Sequence, residues 1–150
     1  MKIADALVGV FSIFLDTAPV IYYVENNPHY QDIVRDVDVF DRVDAGSLAA
    51  VTSPVTLSEC LVAPYRLGLA SLQQDFTDLI VAGRNTTFVP INDDSARAAA
   101  ELRARHNLSL LDALQVGVAL SAGCEAFLTN DSTMRRVSEL RVLIVDDLEI

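Results

Sequence analysis

The sequence predicts an α/β fold: a three-layer α/β/α sandwich whose central sheet is mainly parallel and has about five strands. Three observations point there. Short apolar runs rich in β-formers alternate with helical patterns along the whole chain, with no internal repeat and no linker. Several of those runs are apolar on both faces, as strands in the middle of a helix-covered parallel sheet must be. Acidic residues stand directly after some of them, at the strand ends where such sheets collect ligands. A length of 150 residues fits one domain, 1–150, large enough to be stable without disulfides or a structural metal.

Residues 1–11 show no clear period and are expected to form an N-terminal extension of unassigned role, either a short helix or a lead-in to the first strand. Ile13, Phe14 and Leu15 make that strand, and Asp16 closes it. Thr17, Ala18 and Pro19 are the residues of a helix start, for a helix reaching Glu25. Asn26-Asn27-Pro28 then breaks the chain. Tyr30, Ile33, Val34, Val37, Phe40 and Val43 recur at helical spacing over 29–43, and Gly46 ends that helix. Residues 48–51 form a second strand. A helix from Thr56 toward Gly68 follows, which Pro64 is expected to kink or split, and the next helix, 71–82, stops at Gly83. Residues 86–91 are β-rich, and Asn92, Asp93 and Asp94 supply caps for the Ala-rich helix 95–106. The apolar helix 109–122 stops at Gly123. A short strand, 126–128, runs into Thr129-Asn130-Asp131, and 142–145 is the last strand.

Composition narrows the function. A net charge of -10, with 21 acidic against 11 basic residues, repels a polyanion at long range unless a bound cation inverts the local field. The same surplus attracts a basic protein partner. Cys60 and Cys124 are far apart and lack metal-ligand spacing, so neither a disulfide framework nor a zinc site is indicated, and a reducing cytoplasm fits. The apolar run 3–15 is interrupted by Asp5 and closed by Asp16, too soon to span a bilayer, so a soluble protein with no membrane partner is expected.

The carboxylates are the chemical signal. Asp16 and Asp131 follow two parallel strands and therefore share an edge. Glu59 lies one turn into the helix after the second strand. The helix of Asp112 must begin at that same edge if the strand after it is to run parallel to the others. Each acid has a structural alternative: Thr56-Leu57-Ser58-Glu59 and Ser109-Leu110-Leu111-Asp112 match capping boxes, and Asp16 and Asp131 suit N-cap positions. Together they need more explanation, because like charges about 4 Å apart repel by about 4 kcal/mol at an effective dielectric near 20. Oxygen ligands without His or Cys suit Mg²⁺ or Mn²⁺. Asp93-Asp94 reads as caps and Asp146-Asp147 as tail, while His29 and His106 stand alone near helix ends. Neither a Ser/His/Asp order nor a Gly-rich phosphate loop is present.

Taken in order, Ile13-Phe14-Leu15-Asp16-Thr17-Ala18 with Ile21-Tyr22-Tyr23, Thr56-Leu57-Ser58-Glu59, Leu111-Asp112-Ala113-Leu114-Gln115 and Leu128-Thr129-Asn130-Asp131 resemble the four acidic motifs of PIN-domain nucleases. The resemblance extends over residues 12–145 and is strongest to the VapC-type toxins of bacterial toxin-antitoxin pairs. It implies an endoribonuclease dependent on Mg²⁺ or Mn²⁺, a cognate antitoxin partner and a homodimer. Asp16 and Asp112 would be the principal metal ligands, completed by Glu59 and Asp131, with Thr129 or Asn130 positioning substrate or a carboxylate. Arg66, Arg97, Arg135 and Arg136 are candidates for phosphate contacts. The chain departs from the family in the dozen residues before the first strand and in Met134, where the family often has an aromatic.

Two other classes compete. A non-catalytic domain of the same fold would use its acidic surface to bind a protein. A phosphoacceptor domain would use Asp16, but the lysine a receiver needs late in the chain is absent, and a haloacid-dehalogenase-like phosphatase needs an acid where Ala18 stands.

Overall fold

The computed structural model describes residues 1–30 and 39–149. Its five-stranded sheet comprises β1 (Ser12–Leu15), β2 (Ala49–Thr52), β3 (Thr86–Phe88), β4 (Ala126–Thr129) and β5 (Arg141–Ile144). The strands lie in the order β3-β2-β1-β4-β5, and every neighbouring pair is parallel. Seven α-helices surround it among the described residues: α1 (Ile3–Ala6), α2 (Thr17–Val24), α3 (Val39–Ala45), α4 (Pro54–Leu67), α5 (Ala70–Ala82), α6 (Asp93–His106) and α7 (Leu110–Ser121). Two 3-10 turns, Ser132–Arg136 and Val145–Asp147, flank β5.

The alternation of side chains along the strands divides the core in two. Ile13, Leu15, Ala50, Ala126, Leu128 and Leu143 face helices α1 to α5, where Val20, Phe40, Cys60, Phe76 and Ile80 are buried. Phe14, Val51 and Phe127 face the other way, onto Ala99 and Leu102 of α6 and Val116 and Ala119 of α7. There the rings of Phe14 and Phe127 stack with centroids 5.0 Å apart. Burial on both faces explains the continuous apolar runs of β1 and β4 and completes the three layers.

The structure shifts several expected boundaries. The helix expected from Thr56 begins at Pro54, because Ser53 is the actual cap: its Oγ accepts from the Val55 and Thr56 amides, with Pro54 at the first position. Pro64 does not split α4, which runs to Leu67 and ends on Gly68 at φ 65. Asn92, rather than Asp93 or Asp94, caps α6, in a reciprocal box with Ser95. The expected helix 29–43 is described only as α3; its stretch 31–38 lies outside the described residues.

The N-terminal extension has a packing role. Ile3, Ala6, Leu7 and Val10 are buried in the core, the Ile3 amide donates to the Glu149 carbonyl, and the Arg141 guanidinium donates to the Ala6 and Val8 carbonyls at 2.7 and 2.9 Å. No helix among the described residues is long and apolar enough to cross a membrane.

Candidate active site

Chain order places the site. From β1 the sheet grows outward to β2 and β3 on one side; β4 and β5 lie on the other. The order therefore reverses between β1 and β4, and a crevice opens beyond the carboxyl ends of strands at such a reversal. Leu15 pairs with Leu128, so one step further along the register Asp16 comes level with Thr129. A cavity of about 310 Å³ opens there, lined by all four predicted acids, Asp16, Glu59, Asp112 and Asp131, together with Thr129 and Asn130.

Asp16 stands at the N-cap position of α2 but makes no capping hydrogen bond with its side chain. Its carboxylate turns instead to the sheet edge. Thr129 Oγ1 donates to Oδ2 at 2.7 Å, and Gln115 Nε2 donates to Oδ1 at 3.3 Å. Burial raises the Asp16 pKa above the ordinary carboxylate value, against the lowering effect of the hydrogen bonds from Thr129, the Thr17 backbone and Gln115; the charge of Asp112 adds to the rise. A cation near both acids would favour the ionised form.

Gln115 was not among the expected site residues. It is almost fully buried on α7, one turn after Asp112. Its Nε2 also donates to Thr56 Oγ1 at 2.8 Å, its Oε1 accepts from the Ser53 hydroxyl, and Thr56 Oγ1 donates to the Leu15 carbonyl at 3.1 Å. Ser53, Thr56 and Gln115 thus form a satisfied buried network that ties α4, α7 and the end of β1 to Asp16. A glutamine inside the otherwise apolar stretch of α7, at i+3 from an acid, is the sequence signal for it.

The remaining acids keep oxygen atoms available. Glu59 is exposed in the second turn of α4, and its Oε1 accepts from Thr17 Oγ1 at 2.9 Å. With Ser53 as the cap, Glu59 does not belong to the capping box expected at Thr56. Asp112 is half-buried; its amide donates to Ser109 Oγ, but its carboxylate has no partner among the described residues. Only half of that second capping box therefore forms. Asp131 does act as a cap: Oδ1 accepts from the Thr133 amide and hydroxyl at 2.9 and 2.8 Å.

Asn130 faces the tyrosines. Its Nδ2 donates to the Tyr22 and Tyr30 hydroxyls at 3.1 and 3.3 Å, and its Oδ1 accepts from the Asp146 amide at 2.9 Å. None of the four arginines lines the cavity. Arg66 is exposed in the last turn of α4 and Arg97 is exposed on α6. Arg135 pairs with Asp147, and Arg136 donates to the Asn107 carbonyl at 3.2 Å. His106 is bound to Glu139 rather than isolated, with Nε2 2.6 Å from Oε1.

The donor set fits a hard cation: the lining holds carboxylate, hydroxyl and amide oxygen and no His or Cys. Burial, and after it the charges of Glu59, Asp16 and Glu25, push the nearby Cys60 thiol up to about 12, so it stays protonated. Among the described residues, no three of His, Cys, Asp and Glu are placed to hold an ion by themselves. Such an arrangement leaves much of a coordination sphere to water and substrate, as Mg²⁺ commonly requires.

The PIN-domain family model matches residues 13–140. The chain belongs to the PIN-domain family. Its fold is that of solved VapC structures. VapBC2 of Rickettsia felis, bound to a DNA fragment from its promoter, superposes with a TM-score of 0.68 at 14% identity, covering 89% of this chain and 98% of the other. The DNA-bound VapBC of Salmonella typhimurium gives 0.62 at 17%, with coverage of 90% and 98%. VapC20 of Mycobacterium tuberculosis, a sarcin-ricin-loop-cleaving toxin, gives 0.55 at 16%, with coverage of 77% and 86%. No curated protein matches this PIN domain in sequence.

Proposed function

We propose that this PIN-domain protein is an endoribonuclease dependent on Mg²⁺ or Mn²⁺ and serves as the toxin of a toxin-antitoxin pair, acting as a cytoplasmic homodimer. The observation that carries the activity is the convergence of Asp16, Glu59, Asp112 and Asp131, from four separate segments, on one cavity at the β1/β4 reversal. The toxin assignment is supported by the fold shared with VapBC complexes. A cognate antitoxin is the corresponding protein partner, for which the net charge of -10 offers an acidic surface.

Asp16 and Asp112 are the principal candidates to hold the ion, with Glu59 and Asp131 completing the set directly or through water. When bound, the cation acidifies water and offsets charge on phosphate oxygens. The chain's own part is orientation. Thr129 and Gln115 fix both oxygens of Asp16, and Thr17 holds one oxygen of Glu59, so neither acid must reorganise when the strand arrives. Asp112, whose carboxylate has no hydrogen-bond partner among the described residues, is the acid best able to follow the ion.

The test is cleavage of single-stranded RNA by purified protein, with and without excess EDTA. Activity that requires Mg²⁺ or Mn²⁺ and is lost in Asp16→Asn and Asp112→Asn is expected. Cleavage that persists in EDTA or survives both substitutions unchanged overturns the assignment.

A further inference from the structure

An acidic cavity that takes a phosphate strand needs hydrogen-bond donors as well as a cation. Most side-chain donors in its lining are already committed. The Thr17 hydroxyl donates to Glu59, and the Thr129 hydroxyl donates to Asp16. The Asn130 amide group spends its hydrogens on the two tyrosine hydroxyls. Its orientation is settled by the Asp146 amide, which can donate only to the carbonyl end.

The tyrosines differ in what their own protons do. They stack with ring centroids 4.1 Å apart and an interplanar angle of 16°. The Asp146 carboxylate is the largest of the influences that raise the Tyr30 pKa, and Tyr30 is absent from the cavity lining. Tyr22 lines the cavity, and its hydroxyl oxygen accepts from Asn130. No acceptor for the Tyr22 proton is found among the described residues. A phenol that accepts one bond in fixed geometry keeps its proton free for another direction.

We infer that the Tyr22 hydroxyl, oriented by Asn130 and by its stack on Tyr30, donates a hydrogen bond to a phosphate oxygen of the RNA strand bound over the carboxylates. The inference rests on the proposed ribonuclease activity and adds a substrate-binding residue to it. Asn130 is then a positioning residue that acts through Tyr22.

The test compares Tyr22→Phe with Tyr30→Phe in the Asp112→Asn background, which blocks cleavage. The readouts are the fluorescence anisotropy of a labelled single-stranded oligouridylate with Mn²⁺ present, and thermal unfolding. A hydrogen bond to a charged group sets the scale: Tyr22→Phe weakens RNA binding about tenfold, while Tyr30→Phe stays within about twofold of the parent. The Mn²⁺-induced rise in Tm is the same in both, since neither hydroxyl is a ligand. Equal affinity of Tyr22→Phe and parent, or equal weakening by the two variants, overturns the inference and leaves the ribonuclease assignment standing. Failure of the wild-type protein to cleave RNA and of the parent to bind it overturns both.

Discussion

Replacing Gln115 with leucine isolates the buried network under Asp16. The side chain is almost fully buried and close in shape to leucine, so the change acts mainly on hydrogen bonds. The Ser53 hydroxyl loses its acceptor, a buried unsatisfied donor that costs about 1–3 kcal/mol. Thr56 loses a donor but keeps its own bond to the Leu15 carbonyl. Asp16 loses a charge-assisted bond that, at 3.3 Å, lies at the weak end of the usual range of about 1.5–3 kcal/mol. The added apolar burial offsets about 1 kcal/mol. A net loss of about 2–4 kcal/mol remains, or about 5–15 °C in Tm for a chain of this length. Because Asp16 Oδ1 also loses its donor and only the Thr129 bond to Oδ2 still orients the carboxylate, the affinity for Mn²⁺ falls by about tenfold or more, read from the Mn²⁺ dependence of Tm. A Tm within about 2 °C of wild type, which implies a change of at most about 1 kcal/mol, together with unchanged Mn²⁺ affinity, would refute the positioning role.

Three further outcomes are expected. In EDTA, the raised pKa of Asp16 means that the folded protein binds a proton more tightly than the unfolded chain, so stability falls as pH rises from the ordinary carboxylate value through the raised one; urea melts across that window show the slope, and Asp16→Asn reduces it. Gly117→Ala puts a Cβ 2.7 Å from the Ser95 carbonyl oxygen, where α6 and α7 pack, and lowers stability by about 1–3 kcal/mol in the same melts. Arg141→Ala removes the two bonds that hold the N-terminal segment to β5; a loss of about 1–2 kcal/mol and faster amide exchange over residues 3–10 are expected, and unchanged exchange there counts against the tie.

Much of this was legible in the residues because parallel sheets expose their logic. Strands buried on both faces read as continuous apolar runs, and the acids that follow β1 and β4 must share an edge. Asp112 was placed by direction alone, since α7 has to begin at that edge for β4 to run parallel. What the sequence concealed depended on competition between neighbours. Thr56-x-x-Glu59 matches a capping box, yet Ser53 followed by Pro54 is the stronger start, and this frees Glu59 from the helix end. Pro64 begins the last turn of α4, where Gly68 soon ends the helix, so a predicted split did not occur. Gln115 looked like one polar residue in an apolar helix, because its partners Ser53 and Thr56 are remote in sequence. The packing of residues 1–11 depends on Arg141 and Glu149, at the other end of the chain.

The four carboxylates at the β1/β4 reversal are proposed to hold a divalent cation. An anomalous-difference map from a crystal soaked in Mn²⁺ tests this most directly. A peak within coordination distance of the Asp16 and Asp112 carboxylates, absent when Asp16→Asn and Asp112→Asn are combined, is the predicted result. A map with no peak in that cavity at saturating Mn²⁺, or with ions only elsewhere on the acidic surface, would contradict it.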